Sequence, residues 1–113
     1  MRYFHCGSEL FNYTPRKSHE VMIGNRPLGG GHPIRIQSMT TTATTDTEGS
    51  IAQCRAIIEA GGDYVRLTTQ GTIEARALDP IRKALNEAGL TNPLVADVHF
   101  NPNVADVAAT VVE

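Results

Sequence analysis

Three side chains in this sequence suit work on an anionic substrate: Arg66, Asp97 and His99. A guanidinium presents a planar fork of donors that matches phosphate. A carboxylate can orient that arginine, a lysine or a substrate hydroxyl. An imidazole can donate to a phosphate oxygen, or act as a general acid because its reference pKa lies near neutrality. All three are embedded in short apolar runs, Tyr64-Val65-Arg66-Leu67-Thr68 and Leu94 to His99. An interior arginine or aspartate left without a partner would cost on the order of several kcal/mol, so these residues need each other or a charged ligand. Two readings stand at this level. One is a structural salt bridge beside an ordinary hydrogen-bonding histidine; the other is a phosphate site.

The elements that must position them follow from the apolar pattern. After Gly29-Gly30-Gly31, strand-like runs alternate three times with amphipathic helical stretches, which predicts βαβαβα and a parallel sheet. The first strand is expected over 33–39. Its helix starts near Asp46, where Thr45-Asp46-Thr47-Glu48 fits a capping box, and buries Ile51, Cys54, Ile57, Ile58 and Gly61. The second strand is expected over 63–68, and its helix over about 72–88 with Ala75, Leu78, Ile81, Leu85 and Ala88 on one face. Gly61 and Gly89 stand where left-handed C-terminal caps are needed. The third strand is expected over 94–99, and Asn101-Pro102 then supplies an N-cap and a first-turn proline. Val104, Val107, Ala108 and Val111 continue the stripe, with Val111 open to a second reading as the start of a fourth strand.

Strand side chains alternate between faces, so each strand has one set for the helix layer and one for a barrel interior. Ile34, Ile36, Val65, Leu67, Leu94, Ala96 and Val98 suit the helix layer. That leaves Arg35, Gln37 and Met39, then Tyr64, Arg66 and Thr68, then Val95, Asp97 and His99 pointing inward. Polar groups gather toward the C-terminal ends, where TIM barrels place their chemistry. Three strands agreeing on one polar mouth favour a site over a lone salt bridge. The threonine-rich run Thr40 to Thr45 reads either as a loop whose hydroxyls face ligand or as a plain solvated loop. Gly29-Gly30-Gly31 precedes the strand instead of joining strand to helix, so it reads as a turn.

Composition bounds the rest. With 113 residues, 41% apolar and 19% charged, the chain fits one small globular domain. A net charge of -2 leaves no basic field for nucleic acid or an anionic membrane surface, so any anion is held locally. Met1 to Asn12 lacks a signal-peptide core, which places the protein in the cytoplasm. Cys6 and Cys54 have no CxxC partner and read as a loop thiol and a small core residue, with no disulfide and no metal assigned. An open Rossmann-like sheet is disfavoured because no G-x-G-x-x-G follows the first strand.

The blocks Pro27-Leu28-Gly29-Gly30, Pro33-Ile34-Arg35-Ile36-Gln37-Ser38-Met39-Thr40, Ala60 to Thr68, and Ala96-Asp97-Val98-His99-Phe100-Asn101-Pro102 together resemble the start of the 4-hydroxy-3-methylbut-2-enyl diphosphate synthase family, over about 18–113. The resemblance implies the N-terminal portion of an α/β TIM (β/α)8 barrel that binds 2-C-methyl-D-erythritol 2,4-cyclodiphosphate. It also implies a separate domain with a [4Fe-4S] cluster on three cysteines, fed electrons by flavodoxin or ferredoxin. By motif, Arg66 would be a diphosphate ligand, Asp97 and His99 substrate-contacting catalytic residues, and Gln37, Ser38, Met39 and Thr68 residues lining the mouth. No cluster-binding cysteines are recognised here.

The expected organisation is therefore an arm or small hairpin over 1–32 and about three βα units over 33–113, with the iron-sulfur domain absent from this chain. A complete barrel needs eight units and about 250 residues, so this length corresponds to a segment that would be inert alone. Homo-oligomerisation of the parent is left open. A pterin-binding barrel of the dihydropteroate synthase type shares the architecture but not the I-Q-S-M-T and A-D-V-H-F blocks. A non-catalytic phosphate-binding fragment is the remaining alternative.

Overall fold

The computed structural model describes residues 15–113; Cys6 and the Met1 to Asn12 segment lie outside them. The order of elements is β1 (Val21–Ile23), β2 (Arg26–Leu28), β3 (Gln37–Met39), α1 (Thr47–Glu59), β4 (Tyr64–Thr69), α2 (Thr72–Glu87), β5 (Leu94–Val98) and α3 (Pro102–Ala108). β1 and β2 form an antiparallel hairpin, and β3-β4-β5 form a parallel sheet in that order. The three strand–helix repeats are those the apolar pattern predicts.

One face of this sheet carries the core. Val65, Leu67 and Leu94 are buried against Cys54 of α1, Ala75, Leu78, Ile81 and Leu85 of α2, and Val104 and Ala108 of α3. Full burial of one Leu or Ile side chain contributes about 1.5–3 kcal/mol, so this cluster is the main force clamping helices to strands. Burial pushes the Cys54 thiol up to about 11, as befits a core residue and not a nucleophile. Gly61 and Gly89 take φ of 102° and 76°, the left-handed caps that let α1 and α2 turn back into β4 and β5.

Several local expectations are corrected. The first strand is Gln37–Met39 and not 33–39. Upstream of it the Ile36 amide donates to the Asp63 carboxylate, and Arg35 Nε donates to the Pro27 carbonyl, so these groups are engaged by side chain and hairpin instead of a ladder. Ile34 is correspondingly 95% exposed and does not enter the helix layer, while Ile36 borders the α1 side beside Ala56 and Ile57 and stays 61% exposed. Arg35 turns toward the hairpin end, 3.8 Å from Asp63, away from the strand C-termini. The α1 cap is Asp46, whose carboxylate accepts from the Gly49 amide, in place of the Thr45–Glu48 box. An aspartate one position nearer the helix competes for the same amides and wins. Val111 opens no strand: its amide donates to the Ala108 carbonyl, extending the turn after α3.

The hairpin is tied beneath the N-terminal ends of the sheet. Arg26 Nη1 donates to Asp63 Oδ1 at 2.5 Å, the Tyr64 hydroxyl donates to the Arg26 carbonyl at 3.1 Å, and Asn25 Nδ2 reaches Thr91 Oγ1 at 3.2 Å. Gly29-Gly30-Gly31 is the turn that leaves the hairpin, with the His32 amide donating to the Gly29 carbonyl, so it stands at this end and not at the strand C-termini. At the neighbouring N-terminus of β5, Arg82 is buried and donates to the Asn92 and Leu90 carbonyls at 2.8 and 2.6 Å. No local signal in the sequence marks it.

Candidate functional site

Parallel register brings the inward residues together. Met39 pairs with Arg66, Arg66 with Val95, and Thr68 with Asp97, so these side chains share the face opposite the core. Gln37 pairs with Tyr64 on that same face. Ser38 pairs with Val65 and lines a hollow with Ile36, Ala56 and Ile57, which places it on the helix side of β3. Arg66, Asp97 and His99 therefore meet, with Thr68, Met39 and Gln37 alongside them; Ser38 does not join them.

The centre of the arrangement is Asp97. Its Oδ2 lies 3.0 Å from Arg66 Nη2 and 3.2 Å from His99 Nε2. The Arg66 guanidinium first, and His99 second, hold the Asp97 carboxyl below the usual carboxylate range. An ionised carboxylate only accepts, so His99 Nε2 is the donor and Nδ1 is the ring atom left free. Arg66 keeps 41% of its side chain exposed, so part of its fork remains open to a ligand while Asp97 occupies one nitrogen. His99 is fixed at the strand end by its amide, which donates to the Thr69 carbonyl at 3.3 Å.

The threonine-rich loop is an ordered rim. Thr44 is buried and its Oγ1 donates to the Thr68 carbonyl at 2.6 Å, while the Thr40 amide donates to the Arg66 carbonyl at 3.0 Å. Gln53 of α1 holds the loop from below, its Oε1 accepting the Thr41 amide at 2.7 Å. Thr40 is also buried, and its Oγ1 has no hydrogen-bond partner among the described residues. Thr41, Thr42, Thr44, Thr45, Thr68, Gln70 and Glu74 line a cleft of about 250 Å³ at this end. Sequence reasoning left this run between two readings; what the structure adds is its order, which comes from long-range partners, Gln53 and the strand-end carbonyls.

The next residue after His99 also escaped the sequence reading. Phe100 is fully exposed and has φ 64°, a backbone region that costs a non-glycine residue roughly 1–2 kcal/mol. Its motif was visible, but nothing local distinguishes an aromatic destined for the core from one held outside it.

No group of three or more His, Cys, Asp or Glu side chains placed to hold a metal occurs among the described residues. Cys54, enclosed in the core with a raised thiol pKa, does not fit as a ligand of an iron-sulfur cluster. Among the described residues no helix is long and apolar enough to cross a membrane.

Comparison with known proteins accords with this geometry. Residues 18–113 match the GcpE TIM-barrel domain. The chain is 61% identical over 105 residues to the 4-hydroxy-3-methylbut-2-en-1-yl diphosphate synthase (flavodoxin) of Phocaeicola vulgatus, covering 93% of this chain and 17% of that protein. It is 47% identical over 110 residues to the Leptospira interrogans protein of the same name, covering 97% of this chain and 17% of that one. The Akkermansia muciniphila protein of that name is 44% identical over all 113 residues, 19% of its length. The chain thus spans less than a fifth of the curated relatives it matches. The polar mouth at the strand C-termini, the parallel three-unit sheet and the near-complete match together show that this chain belongs to the GcpE TIM-barrel domain family.

Proposed function

We propose that this chain is the substrate-holding segment of an oxidoreductase that reductively opens 2-C-methyl-D-erythritol 2,4-cyclodiphosphate to 4-hydroxy-3-methylbut-2-enyl diphosphate. The observation that carries the reading is the Arg66–Asp97–His99 constellation, set on the face and at the strand ends where a TIM barrel binds substrate. The names of the relatives point to the same reaction.

Arg66 takes diphosphate oxygens with the open part of its fork. Asp97 holds Arg66 and His99 in place and keeps the local charge balanced. His99, with Nε2 on Asp97, donates from Nδ1 of its protonated ring to the diphosphate oxygen whose charge grows as the ring opens. Met39, Gln37 and Thr68 line the mouth, and Ser38 supports β3 from its helix side. Residues 33–113 act as the first three βα units, with the hairpin of the 1–32 arm beneath them and residues 1–14 of that arm outside the described residues. As the resemblance implies, a [4Fe-4S] cluster would be held by residues outside this chain, and flavodoxin or ferredoxin would be the electron donor. The parent enzyme is read as cytoplasmic, with homo-oligomerisation open.

The test is conversion of the cyclic diphosphate by the full-length protein bearing this segment, with iron and acid-labile sulfide assayed in the same anaerobic preparation. Product formation together with bound iron and sulfide is expected. Neither product nor iron in folded protein would overturn the proposal.

A further inference from the structure

Phe100 is placed at a cost that neither the turn nor the core explains. Among the described residues it is the only non-glycine with positive φ, and a bulky residue there is a genuine outlier where glycine or asparagine would sit with less strain. The capping of α3 does not call for an aromatic: Asn101 caps the helix by accepting from the Asn103 amide, and Pro102 opens it. Phe100 is 100% exposed, so it adds nothing to the core formed by the described residues. Its ring neighbour is His99, at a centroid distance of 5.8 Å and a tilt of 33°. Strained backbone of this kind gathers at ligand sites and switch regions, where the surrounding structure holds it in place.

We infer that the Phe100 ring is the apolar wall of this mouth, closing over the carbon skeleton of a ligand whose phosphate oxygens are taken by Arg66 and His99. The inference rests on the reading of the mouth given above. A cyclic diphosphate of a branched polyol offers two surfaces, charged oxygens and a hydrocarbon edge. Guanidinium and imidazole serve the first. An aromatic ring beside the imidazole serves the second, and by displacing water it strengthens the hydrogen bonds made next to it.

Binding of two probes to the full-length protein separates the contributions: inorganic pyrophosphate, which has only the charged surface, and 2-C-methyl-D-erythritol 2,4-cyclodiphosphate, which has both. Phe100→Asn, which accepts the left-handed backbone, should bind the cyclic diphosphate about tenfold more weakly, equivalent to about 1.4 kcal/mol, with pyrophosphate changed less than about twofold. Phe100→Tyr keeps the ring and should retain both affinities within about threefold. Arg66→Lys should weaken both probes. If Phe100→Asn binds both probes normally while Arg66→Lys loses both, the wall is refuted and the phosphate site stands. If Phe100→Asn loses both probes equally, the ring orders the charged groups and the inference is wrong. If Arg66→Lys leaves both unchanged, the reading of the mouth fails and the wall falls with it. Ligand-free Phe100→Asn should melt no lower than the parent, which guards against a folding defect mimicking the result.

Discussion

Arg66 and Asp97 stand on neighbouring strands, two residues out of register and so on the same face, with Nη2 and Oδ2 3.0 Å apart. The pair joins β4 to β5 at their C-terminal ends and leaves much of the guanidinium open. A structural bridge would need only charge; a diphosphate clamp needs the planar fork.

That difference is testable with Arg66→Lys, which keeps the charge and loses the bidentate geometry. In the full-length protein, affinity for the cyclic diphosphate should fall about tenfold or more, which is about 1.4 kcal/mol. Calorimetric affinities equal within about twofold would leave Arg66 a structural residue.

The alternation of side chains was enough to read Arg66, Thr68, Met39 and Asp97 onto one face, because β4 and β5 are continuous strands with a buried outer side. It failed at Ile34 and Arg35, where period two was read through a segment that forms no strand. What displaces the ladder there is the Asp63 carboxylate, a residue far away in sequence that accepts the Ile36 amide and the Arg26 side chain. Pairing of that kind leaves no periodic trace. Ser38 illustrates a second limit: a motif match put it at the mouth, while strand geometry puts it opposite. The loop from Thr40 to Thr45 and the backbone of Phe100 depend on tertiary contacts and on φ, neither of which a residue pattern encodes.

Asp63 should make the start of β3 sensitive to acid. The Ile36 amide first, and then the Arg26 and Arg35 cations, hold its carboxyl below the usual range. A depressed folded-state pKa contributes stability that is present above the unfolded value of about 3.9 and is lost as pH falls through the folded value. Asp63→Asn removes that charge and should cost about 1–3 kcal/mol locally near neutrality. Hydrogen exchange of the 36–39 amides, followed in the full-length protein from neutral pH down through about pH 3, below the unfolded carboxylate value, should be faster in the variant near neutrality and less dependent on pH. Identical protection in both proteins would show that the hairpin clasp does not set this strand.

Among the described residues the sheet has two unpaired edges. β3 and β5 each pair on one side, Ile34, Ile36 and Met39 are exposed, and an apolar hollow of about 460 Å³ runs along Leu94, Val98, Ala105 and Val112. Parallel sheets are normally covered on both faces, and open edges recruit other strands. The 113-residue chain expressed alone should therefore associate or fold poorly, with sedimentation that depends on concentration. A monomer with a sharp, concentration-independent melt would contradict this.

Asp97 and His99 share one hydrogen bond, yet their removal should be felt at different points of the reaction. If His99 donates to an oxygen whose charge grows as the ring opens, the interaction is stronger in the transition state than in the ground state, and its loss appears in kcat. Removing one such donor costs about 2.7–4 kcal/mol in well-studied oxyanion sites, so His99→Ala should lower kcat on the order of a hundredfold with a smaller change in KM. Asp97→Asn acts otherwise. It leaves a neutral amide between Arg66 and His99, so the clamp on the diphosphate loosens before and during the reaction, and KM should rise along with any fall in kcat. Steady-state kinetics of the full-length enzyme, with iron content matched between variants, measures both. Near-normal kcat with only a raised KM in His99→Ala would reduce His99 to a binding residue, and the proton-donating role would have to move to another group.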